Sequence, residues 1–201
     1  MEAGRPPVLH ILAGPNGAGK TSLYEAQIRR LTDAEFVNAD RLAFSTLGHH
    51  AVTQAEAELG QRLANERRAE LMRTQQSLVT ESTFSHPSKL DLISEAKAAG
   101  YRVTVYHVNV ESSDLAVTRV RARLGHGGHP VPEDRIRARY QRNQLLIREA
   151  VHLADQAYVF DNSVGGEWPR RLIVFGNGRV LRVAPPLPAW AQALYGPDLT
   201  A

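Results

Sequence analysis

Eight consecutive residues, Gly14-Pro15-Asn16-Gly17-Ala18-Gly19-Lys20-Thr21, constrain this chain more than any other stretch. They satisfy the pattern G-x-x-x-x-G-K-[ST] at every fixed position. The run 8–13 before them is apolar, as in a buried parallel strand. Residues 20–31 after them place Leu23, Ile28 and Leu31 at helical intervals. A strand, a glycine-rich turn and a helix in that order curl successive backbone N–H groups toward one point. They also aim the positive end of the helix at that point. Such a cradle takes phosphate oxygens. Lys20 would reach the β- and γ-phosphates of a nucleotide, and the Thr21 hydroxyl would ligate Mg2+. With Ser22, residues 14–22 form the candidate nucleotide site, and ATP and Mg2+ are the expected cofactors.

The rest of the chain alternates strand and helix patterns. Strands are expected at 35–38, 77–80, 102–110 and 157–160. Helices are expected at 41–44, 53–74, 87–99, 113–124 and 132–153. Thr53 with Glu56 reads as a capping box, and Gly100 as a helix stop. Residues 172–175 and 180–183 flank Asn177-Gly178, a hairpin signal, and 189–194 reads as a short last helix. Alternation of this kind implies an α/β fold around a parallel sheet, here with a C-terminal β-hairpin. The 201 residues are read as a single domain, with a lid region at about 119–139 and the hairpin and tail at about 168–201.

Composition closes several other routes. There is no cysteine, so disulfides, thiolate zinc sites and cysteine nucleophiles are excluded together. No apolar run approaches the ~18 residues of a membrane helix, and Met1 to Pro7 lacks the apolar core of a signal peptide. A cytoplasmic protein that does not enter the membrane is the expectation. A net charge of +3 is too small to argue for nucleic acid as a partner. Yet 21 of the 24 basic residues are arginine, and eight of these fall between Arg119 and Arg148.

In an open parallel sheet the site lies beyond the carboxyl ends of the strands. Asp40, Glu81 and Asp161 each follow a strand and could face the γ-phosphate. Each also has a plainer reading: Asp40 as a helix N-cap, Glu81 as a surface residue, Asp161 as a turn residue with Asn162 and Ser163. The loop 81–86 gathers polar side chains that could grip a ligand, with Ser85 alternatively capping the helix near Pro87. Arg119, Arg123, Arg135 and Arg139 bracket a glycine-rich break at 125–132. Two arginine-bearing helices on a glycine hinge have the form of a lid that neutralises charge on transferring phosphates. The alternative is a solvated helix face. His126 and His129 in that break read as hinge residues rather than metal ligands.

Taken in order, the cradle 14–21, Asn38-Ala-Asp40, Glu81-Ser-Thr83-Phe-Ser85, and Gly127-Gly-His129 through Pro132 to Arg135 and Arg139-Tyr140 resemble the zeta toxin family of P-loop kinases. The likeness spans roughly residues 8 to 163. It implies an adenylate- or shikimate-kinase-like core of the P-loop NTPase fold. It also implies ATP-dependent phosphorylation of the 3′-hydroxyl of the amino sugar in UDP-N-acetylglucosamine. By the family's pattern Asp40 takes the proton of the sugar hydroxyl, and Glu81 and Thr83 hold the nucleotide sugar. Arg123 with Arg135 or Arg139 grips the ATP phosphates. A protein antitoxin that blocks access of ATP is the partner such toxins carry. Two other readings stand beside this one: a kinase for a different small hydroxyl compound (a nucleoside, an antibiotic or a dinucleotide), and a regulatory P-loop ATPase or binding module.

Overall fold

A computed structural model describes residues 5–124 and 131–200. In chain order its elements are β1 (Val8–Ala13), α1 (Lys20–Ala26), β2 (Glu35–Val37), α2 (Ala39–Leu47), α3 (Gln54–Arg73), β3 (Leu78–Ser82) and α4 (Ser88–Ala98). There follow β4 (Arg102–Asn109), α5 (Ser113–Leu124), α6 (Glu133–Leu153), β5 (Gln156–Asp161), β6 (Arg170–Gly176), β7 (Arg179–Val183) and α7 (Ala189–Leu199). The described strands make one sheet in the order β2-β3-β1-β4-β5-β6-β7. The first five run parallel, and β6 and β7 add to the same sheet antiparallel. The α/β architecture and the C-terminal hairpin read from the sequence are both present. Asn177 and Gly178 have φ of 48° and 72°, as a primed turn requires.

β1 lies between β3 and β4, with Ala13 level with Ser82 and His107. The turn after β1 therefore opens where three strands end together. Strand alternation splits the core. Leu9, Ile11, Val103 and Val105 pack under α3, α4, α6 and α7. Leu12, Tyr106 and Val108 pack on the other face with Leu23, Tyr24 and Ile28. Gly60 in α3 sets how closely α2 sits: a Cβ there would stand 2.5 Å from the Ala39 carbonyl oxygen. The first turn of α2, which carries Asp40, thus rests directly on α3.

Several sequence expectations shift. The helix read at 20–31 ends at Ala26; Gln27 breaks it, and a 3-10 turn at Ile28–Arg30 follows. Ile28 still reaches the core, but Leu31 is left exposed, so its helical spacing was coincidental. The helix read at 41–44 runs from Ala39 to Leu47, and its N-cap is Asn38, not Asp40. The Asn38 side chain accepts from the Arg41 amide at 3.0 Å. No side chain caps α4 in the usual sense, and Ser85 does not; His86 Nδ1 instead accepts from the Ser88 amide at 3.2 Å. The last helix continues past Pro197 to Leu199. Tertiary contacts hold that turn, because Arg148 donates two hydrogen bonds to Asp198.

Candidate active site

The turn between β1 and α1 has the backbone shape a phosphate cradle needs. Gly19, the N-cap of α1, is left-handed at φ 88°. A Cβ there would stand 2.2 Å from Asn162 Nδ2. Asn162 uses that amide to clasp the turn, donating to the Ala18 carbonyl at 2.8 Å. Arg119 donates in turn to the carbonyls of Asn162 and Ser163, at 2.6 and 3.3 Å. The loop after β5 is therefore a brace for the cradle, a role that the Asp161-Asn162-Ser163 sequence does not announce.

Lys20 is 5% exposed and donates to the carbonyls of Gly14 and Pro15, both at 3.0 Å. Its ammonium stands 3.6 Å from Glu81 Oε1. Burial pushes its pKa below the usual lysine value, and Glu81 pulls the other way. The Thr21 hydroxyl donates to Glu81 Oε2 at 2.8 Å, and Asn38 Nδ2 donates to the same oxygen at 3.3 Å. Glu81 is thus no surface residue. It joins the cradle to the start of α2. The paired oxygens of Thr21 and Glu81 are hard donors of the kind that hold Mg2+ beside nucleotide phosphates. Among the described residues there is no cluster of three or more histidine and acidic residues that could hold a metal by itself.

Asp40, the second residue of α2, is exposed and lines the same cleft. Thr83 and Ser85 line it from the loop after β3, with hydroxyls 3.4 Å apart. That loop is held in a strained shape. Phe84 between them is 1% exposed and has φ 51°. A bulky residue in that region costs about 1–3 kcal/mol unless its surroundings enforce it. Here the Phe84 amide donates to Ser82 Oγ at 3.0 Å, and Asn143 of α6 donates to the Thr83 carbonyl. Burying Phe84 turns its two hydroxyl neighbours toward the cleft.

The arginine-rich segment sorts into two groups. Arg119, Arg123, Arg135 and Arg139 line the cleft. Arg139 lies 3.5 Å from the Asn16 side-chain oxygen, and burial together with Arg135 and Arg142 lowers its pKa. Arg121 and Arg137 instead pair with Glu133 and Asp114 on the outside, tying α5 to α6. The proposed hinge, Gly125, His126, Gly127, Gly128 and His129, lies outside the described residues. Asp161 is removed from the γ-phosphate candidates. Its Oδ1 accepts from Ser163 Oγ at 2.6 Å and from buried Trp190 at 2.9 Å, and it does not line the cleft.

The cleft encloses about 1160 Å³, enough for more than one drug-sized ligand. Sequence reasoning missed three of its side chains. Asn162 braces the cradle from beyond β5, while Arg68 of α3 and Lys89 of α4 line the cleft wall, Arg68 donating to Thr80 Oγ1 at 3.2 Å. No local motif marks any of them; only strand order brings them to one cleft. Among the described residues, no helix is long and apolar enough to cross a membrane.

Residues 1–164 match the family described as Zeta toxin. No curated protein matches the chain in sequence. Among solved structures, the AvrRxo1-ORF1:AvrRxo1-ORF2 complex with sulphate ions gives a TM-score of 0.67 at 19% identity, over 89% of this chain and 61% of that one. This chain therefore spans less than two thirds of that relative's length. The same complex has been solved with ATP. A structure from the PezAT chromosomal toxin-antitoxin system of Streptococcus pneumoniae gives 0.59 at 14% identity, over 80% of this chain and 70% of that one. The Pnkp1/Rnl/Hen1 RNA repair complex gives 0.59 at 17%, over 74% and 47%. At these identities the likeness is one of fold.

Proposed function

This chain belongs to the zeta toxin family, and we propose that it is a kinase transferring the γ-phosphoryl group of ATP to the 3′-hydroxyl of the amino sugar of UDP-N-acetylglucosamine. The observation that carries this reading is a single cleft shared by the phosphate cradle, the Asp40 carboxylate and four arginines. An NTPase that uses water has no need of a second polar ligand site beside the cradle. Here Thr83 and Ser85 supply one.

In the transfer, the acceptor oxygen bonds to the γ-phosphorus as the bond to the bridging oxygen breaks and ADP leaves. Asp40 receives the proton of the attacking hydroxyl and orients it beforehand. Lys20 leaves the Gly14 and Pro15 carbonyls to follow the charge on the γ-phosphate. The 14–19 backbone and Ser22 hold the remaining phosphate oxygens. Arg123 and Arg139 neutralise charge on the transferring group, with Arg119 and Arg135 beside them. Bound Mg2+ would neutralise the phosphates, held by Thr21 and, through its contact with Thr21, by Glu81.

That last role differs from the one the resemblance implies. Glu81 shares one oxygen between Thr21 and Asn38. We therefore assign it to the metal side and leave Thr83 and Ser85 to the acceptor. A protein antitoxin and a cytoplasmic site of action belong to the same reading. The PezAT match supports the former, since that structure comes from a toxin-antitoxin system.

The test is direct. Incubate the protein with ATP, Mg2+ and a panel of nucleotide sugars, and look by mass spectrometry for one added phosphoryl group. UDP-N-acetylglucosamine should gain it with the wild type and not with Lys20→Ala. Phosphorylation of other compounds only would remove the substrate and keep the kinase.

A further inference from the structure

We propose that Asn143 is a positioning residue: it ties the loop 83–85 to the turn of α6 that carries Arg139, so that nucleotide phosphates seated on Arg139 hold the hydroxyls of Thr83 and Ser85 at the cleft. The inference rests on the kinase reading and adds to it a coupling between the nucleotide and acceptor sites.

Asn143 is fully buried. Its Nδ2 donates to the Thr83 carbonyl, whereas its Oδ1 has no hydrogen-bond partner among the described residues. The other buried residues of α6 are Tyr140 and the apolar Ile136, Ile147, Ala150 and Val151. An amide left half unpaired among them costs stability that a leucine would not. What the amide supplies is one donor, and that donor meets the backbone of the acceptor loop.

The loop needs such a tie. Phe84 stands at φ 51°, in the left-handed region that a bulky residue avoids. In that shape Thr83 and Ser85 line the cleft on either side of the buried Phe84 ring. Two hydrogen bonds hold it: the one from Asn143, and the one from the Phe84 amide to Ser82 Oγ at 3.0 Å. With the first released, a second state lies within reach, in which Phe84 returns to a negative φ and the hydroxyls are no longer held at the cleft.

Arg139 lies four residues before Asn143, about one helical turn away on the same face of α6. It lines the cleft and meets the cradle at the Asn16 side-chain oxygen, a neutral contact at 3.5 Å. Between the two, Tyr140 donates to the Val110 carbonyl at 2.6 Å, fastening the turn just past the end of β4. One turn of α6 thus carries a contact to the cradle, a bond to the sheet and a bond to the acceptor loop. Local opening of that turn breaks all three together. A nucleotide phosphate gives Arg139 a charged partner in place of a neutral one, which holds the turn closed. Asn143 passes that gain to Thr83. By linkage, an acceptor held on the loop tightens nucleotide binding by the same factor.

The experiment needs no acceptor. Hydrogen exchange of the amides of 83–86 is measured with and without a saturating non-hydrolysable ATP analogue and Mg2+, in wild type, Asn143→Leu and Arg139→Gln. Calorimetry establishes saturation in each. In the wild type the analogue should slow exchange there about fivefold or more. In Asn143→Leu the analogue should bind with near-wild-type affinity while the slowing disappears. Arg139→Gln should lose the slowing too; it leaves the buried amide in place, so it carries the test if Asn143→Leu is unstable. An Asn143 that serves packing alone would raise exchange equally with and without the analogue, leaving their ratio at the wild-type value, and that result overturns the coupling. Slowing retained in both variants, as direct shielding by nucleotide would give, overturns it as well. Analogue binding that leaves 83–86 unchanged in the wild type overturns it while keeping the kinase. A wild type that binds no analogue removes the kinase reading and the coupling together.

Discussion

The Thr21 hydroxyl donates a 2.8 Å hydrogen bond to Glu81 Oε2, joining the cradle after β1 to the end of the neighbouring strand β3. Two oxygens so placed beside Lys20 make a metal-side role for Glu81 testable against an acceptor role. Glu81→Ala should lower kcat about 10–150-fold with every acceptor, the cost of a lost hydrogen bond involving a charged group. Extra Mg2+ should restore part of the rate, and the acceptor KM should stay near the wild-type value. A rise confined to the KM for the nucleotide sugar would return Glu81 to the acceptor.

Asp40 and Asn38 separate catalysis from helix capping. Asn38 is the N-cap of α2, and Asp40 makes no capping bond. Asp40→Asn should therefore leave the melting temperature and ATP affinity unchanged. It should slow phosphoryl transfer by about 10²–10⁴, the usual contribution of a general base. Asn38→Ala should do the reverse in kind, costing about 1 kcal/mol of stability. It should also slow turnover modestly, by freeing Glu81. Equal rates for wild type and Asp40→Asn would take the proton transfer away from Asp40.

How much of this was legible depends on how local the cause is. The cradle, the capping box of α3 and the Asn177-Gly178 turn are written in consecutive residues, and all three formed where expected. The thirteen strands and helices expected after the cradle follow the same logic of period and punctuation, though their ends moved. The partner of Glu81 could not be read, because it depends on β3 lying next to β1, sixty residues away in sequence. Asp161 was misplaced for the same reason: Trp190, which claims its carboxylate, arrives from the tail. Arg68 sits in an arginine-rich helix beside Arg67, and only tertiary pairing tells that Arg67 meets carboxylates while Arg68 donates to the neutral Thr80 and Asn65.

The two classes of arginine in α5 and α6 should behave oppositely. Arg123→Ala and Arg139→Ala should each cut kcat by a factor of about 10² or more, since they would stabilise charge on the transferring phosphoryl group. Arg121→Ala and Arg137→Ala break exposed ion pairs with Glu133 and Asp114. Such pairs contribute about 0–1 kcal/mol, so turnover should change less than about threefold. Comparable losses in all four variants would mean that the segment acts as one scaffold.

Acid should loosen this fold earlier than its carboxylates alone would predict. His107 is fully buried, within 2.7 Å of the Tyr195 hydroxyl, and burial holds its pKa down to about 3. His10 on the other face is held down to about 4 for the same reason. Both are therefore neutral when folded at moderate pH, whereas the unfolded chain takes up protons at its ordinary histidine pKa of about 6.5. Between those values the unfolded state binds more protons, so stability is complete above about pH 6.5. It falls steadily as pH drops toward 4 and 3, by a few kcal/mol per histidine. Glu35 and Asp155, whose pKa values are lowered by Arg67 and by a backbone amide, add their loss only at more acidic pH. The window from about 6.5 to 5 thus reports the histidines. Urea midpoints measured across it should decline for the wild type and decline less for His107→Gln, whose amide oxygen can still accept from Tyr195. Parallel slopes for the two proteins would show that His107 is not the group being titrated.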